Sequence, residues 1–260
     1  KTFSSFTGTI IHGLHDKEKL KQYLYYMLNG YSLRKIALEM DICLKTSFDW
    51  RHKILSGLHT ISSKKISGVV EADETFFLNS DKGDKFLKRT SRKRGGVASK
   101  KGINKDHVTV MTVFERSSKM FINTVVCKGR LTKKAIEKGV GQWLNKSESI
   151  LCSDSHKSFE GFSMDNKLTH KRIFVRRKEY VKERIYHIQN VNRIHYKLKK
   201  WMEKFHGVST KYLQHYLNYF SLVERLKNQV NYTNEAVKEV VEKRNVYLKR
   251  TLINQQRCIT

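Results

Sequence analysis

Apolar positions recur at helical spacing near the start of the chain. In DKEKLKQYLYYMLNG, Leu20, Leu24, Met27 and Leu28 share one helix face, and the run stops at Asn29-Gly30, a C-terminal cap signal. Ser32 can cap a short helix, SLRKIALEM, and after Asp41-Ile42-Cys43 another helix runs from about Lys45 through TSFDWRHKILSGL. Two short helices joined by a tight turn, with basic residues on the second, fit a helix-turn-helix whose second helix lies in the major groove. A small three-helix packing unit without a DNA role has the same pattern.

From Lys64 the texture changes. GVVEADETFFL, HVTVMTVFER and KMFINTVVCKG are apolar, β-branched runs separated by polar breaks, which predicts three consecutive strands. LTKKAIEKGVGQWLN reads as a helix, SESILCSDS as a buried strand, and THKRIFV as a shorter one. From about Tyr186 the pattern is helical again, through YHIQNVNRIHYKLKKWMEKFHG and STKYLQHYLNYFSLVERLKNQ to a charged segment between Asn234 and about Arg250. This order predicts an α/β protein with a mixed sheet, preceded by a small helical region. The expected division is a helix-turn-helix region over 1–62, an α/β domain over 63–230 and a helical tail over 231–260.

Charge changes the picture most. Lys and Arg total 52 against 24 Asp and Glu in 260 residues, a formal charge of +28, so the natural partner is a polyanion. At 39% hydrophobic and 11% aromatic the chain is not a disordered basic tail. No stretch approaches the roughly 20 apolar residues of a spanning helix, which favours nucleic acid over membrane. Cys43, Cys127, Cys152 and Cys258 are scattered without a CxxC pair, so a reducing cytoplasm is expected and zinc within the chain is not. The His12/His15 pair lacks further ligands at metal spacing and reads as surface or packing histidines. Residues 82–105 hold ten Lys or Arg and one acid, and residues 170–211 hold thirteen Lys or Arg against three Glu. The first stretch reads as a solvated, mobile loop that orders on a phosphate backbone. With the second helix of the helix-turn-helix it supplies the expected DNA contacts Lys45, Arg51, Lys53, Lys88, Arg89, Arg92, Lys93 and Arg94, to which Lys199 is added.

In a chain so short of acids, carboxylates within apolar strands stand out. Asp73 lies mid-strand in VVEADETFF, where an unpaired carboxylate is costly without a partner or a metal. Strand alternation puts Glu71 on the face of Asp73 and Glu74 on the other, which makes Glu71 the further candidate participant. Asp154 follows the apolar run ILCS at a strand end, where α/β sheets bind ligands, although it could equally cap the next helix. On HIQNVNRIHYKLKKWM, Asn192 and Lys199 are seven residues apart and share a face, separated by roughly 10 Å.

The order helix-turn-helix, VVEADETFF, basic KRGG loop, CSDS, then HIQNVN...LKKWM..FHGVSTKYLQHYLNYF resembles bacterial insertion-sequence transposases of the ISXO-like DDE class, most specifically over 187–220. The resemblance implies a ribonuclease H-like core whose active site is Asp73, Asp154 and Asn192, with Lys199 seven residues on. Asn192 is preferred to Asn190 because it alone keeps that interval, and Asn is an accepted variant at this position. It implies Mg²⁺ or Mn²⁺, as two ions held by Asp73, Asp154 and Asn192, for cleavage of insertion-sequence ends and strand transfer into target DNA. The implied partners are double-stranded DNA and further copies in a homodimer or larger synaptic assembly, in a nucleoid-associated, cytoplasmic setting. Related proteins begin with a four-cysteine zinc ribbon before a segment like TFSSFTGTIIH, where this chain starts, so the ribbon is expected to be absent, truncated or encoded upstream. The alternative is an inactive or truncated copy acting only as a DNA-binding protein.

Overall fold

The computed structural model describes residues 18–58, 65–87, 89–93, 95–227 and 229–242; Lys88, Arg94, His12, His15, Cys258 and the segment TFSSFTGTIIH lie outside them. The chain divides into two compact units. The first joins the described residues up to Leu58 with those from His215 onward, and the second runs from Lys65 to Gln214.

In the first unit, α1 (Glu18–Leu28) buries Leu20, Tyr23, Leu24 and Met27, one stripe at intervals of three and four residues. It ends in a Schellman turn: Gly30 takes φ 77°, Gly30 N–H reaches the Met27 carbonyl, and Tyr31 N–H reaches that of Tyr26. Helix α2 (Leu33–Glu39) is capped by Ser32, and α3 (Leu44–Gly57) by the Cys43 sulfur. Asp41 makes the turn between them at φ 48°, a left-handed conformation that a short polar side chain tolerates. Helices α7 (Leu213–Leu226), beyond its first turn, and α8 (Tyr232–Glu242) belong to this unit as well. Asn218 Nδ2 donates to the Leu58 carbonyl at 2.7 Å, Tyr219 Oη to that of Met27, and Asn29 Nδ2 to Tyr232 Oη at 3.0 Å. This division differs from the expected one, in which residues to 230 belong to the α/β domain. Hydrogen bonds between residues some 160 to 200 apart in sequence leave no local pattern to read.

The second unit is a five-stranded mixed sheet of order β3-β2-β1-β4-β5. Its strands are β1 (Ile66–Leu78), β2 (His107–Glu115), β3 (Phe121–Lys128), β4 (Leu144–Asp154) and β5 (Thr169–Ile173). β1 pairs antiparallel with β2 and parallel with β4, and β4 pairs parallel with β5. One sheet face packs Val70, Ala72, Met111, Val113 and Leu151 against Ala135, Ile136, Phe159 and Phe162 of α4 (Lys133–Ile136) and α5 (Lys157–Asp165). Helix α6 (Gln189–Glu203) buries Val191, Ile194 and Leu198.

The predicted helix over 131–145 is shorter, running only from Lys133 to Gly141. α4 passes into a π-turn over Glu137–Gly141, and Leu144 already belongs to β4. Glycine is required within that turn: a Cβ on Gly139 would stand 2.6 Å from Val126 Cγ1 and 3.0 Å from Met111 Cβ. The described part of the basic loop is anchored at two points. Arg89 pairs with Asp81 at 3.0 Å and Arg92 with Asp106 at 3.2 Å, while Asp106 also accepts from Ser99 N–H at 2.8 Å. These acids sit just outside the basic run, one at each end, and tie it to the strands it connects.

Gly139→Ala is expected to lower stability by roughly 1–3 kcal/mol, the range for overpacking a filled core. Urea denaturation of the two proteins measures the difference.

Candidate functional site

The site follows from strand register. The parallel β1–β4 ladder runs to Glu71 opposite Cys152, so the same register two residues on sets Asp73 beside Asp154. The apolar run through Leu151 and Cys152 buries the body of β4, and its polar end emerges at Asp154. One oxygen of Asp154 accepts from His156 N–H at 3.0 Å and turns the chain, while His156, not Asp154, caps α5.

Carboxylate oxygens of Asp73, Glu74 and Asp154 all lie within 4.8 Å of one another. Glu74 is the member that strand alternation misses. It does alternate away from Asp73, but β4 ends at Asp154, and past that end its longer side chain reaches the cluster. An Asp-Glu pair at the level where the neighbouring strand stops is the signal that could have found it.

Electrostatics mark the cluster as strained. Burial, then the charges of Glu74 and Asp154, hold the Asp73 carboxyl well above the ordinary range, against the opposing pull of Lys199. Burial and then Asp154 raise Glu74 to about 7, and its Oε2 is buried without a hydrogen-bond partner. An all-oxygen set of crowded carboxylates with an unpartnered acceptor suits a hard divalent cation. His195 on α6 brings Nδ1 to 3.8 Å from Asp73 Oδ2; burial, then Lys199, lower its pKa to about 4, so the ring is neutral.

Of the expected site residues, Asp73 and Asp154 are together and Lys199 lies within electrostatic reach of Asp73. Asn192 is exposed in the first turn of α6, on the face that carries His195 and Lys199. Glu71 is fully buried and takes no part in the cluster; it binds Arg116 at 2.7 Å and the start of α6. Among the expected DNA contacts, Lys45 is exposed beside Asp49, Lys53 is half-buried and Lys93 is exposed. Arg51 is buried, with Nη2 on the Tyr31 carbonyl at 2.7 Å, so its guanidinium braces the first unit. Arg89 and Arg92 are engaged by the acids that tie down their loop.

A mixed sheet with a carboxylate on its central strand and another at the adjoining strand end, in a chain of net charge +28, offers oxygen donors for a hard divalent cation in a protein suited to a polyanion. The ISXO2-like transposase domain profile matches residues 65–222, and the chain belongs to that family. It is a transposase, and the matched region contains the five-stranded mixed sheet. No curated protein matches it. Among solved structures, it is similar to a chain of the simian T-cell lymphotropic virus intasome in complex with PP2A regulatory subunit B56 gamma. That match has 11% identity over 80% of this chain and 69% of the other, with a TM-score of 0.36. It is also similar to the Drosophila P element transposase strand transfer complex, at 9% identity over 95% and 64%, TM-score 0.36. A third is a pre-cleavage Mos1 transpososome, at 9% identity over 92% and 82%, TM-score 0.21. Among the described residues no helix is long and apolar enough to cross a membrane.

Because the folded protein keeps a proton on Glu74 up to about pH 7 that the unfolded chain loses near 4.5, this group's contribution to stability falls as pH rises through that window. Glu74→Gln is therefore expected to stabilise the metal-free protein by roughly 1–3 kcal/mol at pH 8, with the gain vanishing toward pH 5. Denaturation in chelator at both pH values tests this.

Proposed function

We propose that this transposase cuts DNA at the ends of an insertion sequence and joins the freed ends to target DNA, using Asp73, Asp154 and Asn192 with Lys199. The observation that carries the reading is the crowding of Asp73, Glu74 and Asp154 at one strand end, within the family's matched region. Asp73, Asp154 and the Asn192 amide oxygen would hold two Mg²⁺ or Mn²⁺ ions, with Glu74 as an additional oxygen donor. Bound there, the ions would supply Lewis-acid stabilisation of the attacking and leaving oxygens of an in-line displacement.

The protein's own groups do the rest. In cleavage a water oxygen bonds to phosphorus as the P–O3′ bond breaks; in joining, that 3′-hydroxyl attacks a target phosphate and displaces a second 3′-oxygen. Lys199, which already balances Asp73, is suited to neutralise a phosphate oxygen beside the carboxylates. Asn in place of a third carboxylate removes one negative charge, and Glu74, deprotonated on binding a cation, would restore one. His195, neutral and largely buried, walls one side of Asp73 without adding charge.

Duplex DNA is the substrate in this reading. Helix α3, through Lys45 and Lys53, and the tethered loop, through Lys93 with Lys88 and Arg94, are the proposed backbone contacts. Two copies acting together at paired ends, in the cytoplasm on nucleoid DNA, complete the proposal.

Asp73→Asn and Asp154→Asn are each expected to lower Mg²⁺-dependent joining of an end oligonucleotide at least 1,000-fold, on the order of a lost essential group. Gel-shift affinity should change less than threefold and should weaken with salt in parallel with the wild type. Joining at the wild-type rate by either variant would falsify the assignment.

A further inference from the structure

We propose that Glu71 and Arg116 are positioning residues that set where α6 presents Asn192 and Lys199 to the carboxylates. The inference rests on the reading of Asp73, Asp154 and Asn192 as the site of strand cleavage.

Glu71 is a carboxylate with no solvent exposure, an expensive group to bury unless both oxygens are satisfied. Both are. Oε1 accepts from Arg116 Nε and from Asn190 Nδ2, each at 2.7 Å, and stands 3.4 Å from His187 Nδ1. Oε2 accepts from the backbone N–H of Asn190 at 3.0 Å and of Val191 at 3.3 Å. Those are the second and third amides of α6, the pair that an N-cap side chain ordinarily satisfies. The residue at the cap position, Ile188, has no side chain able to do so and makes no such bond. The cap is delivered instead from the middle of β1, and its negative charge lies at the positive end of the helix.

Arg116 completes the latch from the end of β2. Its Nη1 donates to the Ile185 carbonyl at 2.7 Å and its Nη2 to that of His187 at 3.0 Å, while its own N–H bonds Val69 on β1 at 3.2 Å. The guanidinium thus spans the carboxylate and two backbone carbonyls of the chain leading into α6, a task that a single ammonium lacks the geometry to perform.

The placement argues for a role beyond holding the domain together. Glu71 is two residues before Asp73 on β1, and Asn190 is two residues before Asn192 on α6. The apolar stripe of Val191, Ile194 and Leu198 favours burial but tolerates sliding and rotation. Two successive amides and one side chain on a single carboxylate tolerate neither. A one-residue slip would turn the helix by about 100° and carry Asn192 and Lys199 off the site's face.

The test compares wild type, Glu71→Gln, Asn190→Ala and Arg116→Lys. It measures single-turnover cleavage of an end oligonucleotide, Mn²⁺ affinity by electron paramagnetic resonance, and melting temperature. Positioning predicts that Glu71→Gln loses 10- to 100-fold in cleavage rate, the scale of a misplacement near 1 Å. It also predicts severalfold weaker Mn²⁺ binding, and smaller losses in both for Asn190→Ala and Arg116→Lys. A lowered melting temperature with rate and Mn²⁺ affinity within twofold of wild type would make the latch merely structural and overturn the proposal. If Glu71→Gln does not fold, the two milder variants decide by the same criterion. A wild-type protein that neither cleaves nor binds Mn²⁺, with Asp73→Asn indistinguishable from it, overturns the reading of the site itself and the latch's role with it.

Discussion

Like charges held closer than they would choose are the constraint on which the rest of this molecule turns. Three carboxylates converge at the end of β4, and burial, then their mutual repulsion, pushes Asp73 and Glu74 upward in pKa. Among the described residues, Lys199 on a face of α6 offsets part of the upward push on Asp73, and the oxygens are left to accept a cation. An arrangement that costs stability in the resting protein is held by a sheet whose strands β1 to β4 bury apolar side chains against α4 and α5.

A second carboxylate on the same strand has the opposite fate. Glu71, two residues before Asp73, is more deeply buried, yet it is saturated by a guanidinium, a side-chain amide and two backbone amides. Burial alone therefore does not distinguish a site carboxylate from a scaffolding one; the partners do. The same holds for the basic residues. Of 52 Lys and Arg, several that look like DNA contacts are committed to internal work: Arg51 to a carbonyl, Arg89 and Arg92 to the acids that bound their loop.

Much of the fold was legible because it rests on local periodicity. The α1 stripe, the Ser32 cap, the three successive strands and the apolar run ending in Asp154 follow from spacing and residue type over windows of fewer than about 15 residues. The length of α4 was not, because Gly139 and Gly141 read as tolerable in a helix until the close approach of Val126 is known. Glu74 was misjudged for a related reason: alternation states which face a side chain leaves, and not that the neighbouring strand stops one level away.

The sequence by itself determined the polyanion partner, the mixed α/β class, and Asp73 and Asp154 as acids out of place in apolar strands, since composition and periodicity are local properties. The seven-residue spacing of Asn192 and Lys199 also determined that they share one helix face. Only the tertiary structure decided which carboxylates meet, that Glu71 caps a helix 119 residues away, and that the terminal helices join the first unit. Those outcomes depend on strand register and on hydrogen bonds between distant segments, which no window of sequence contains.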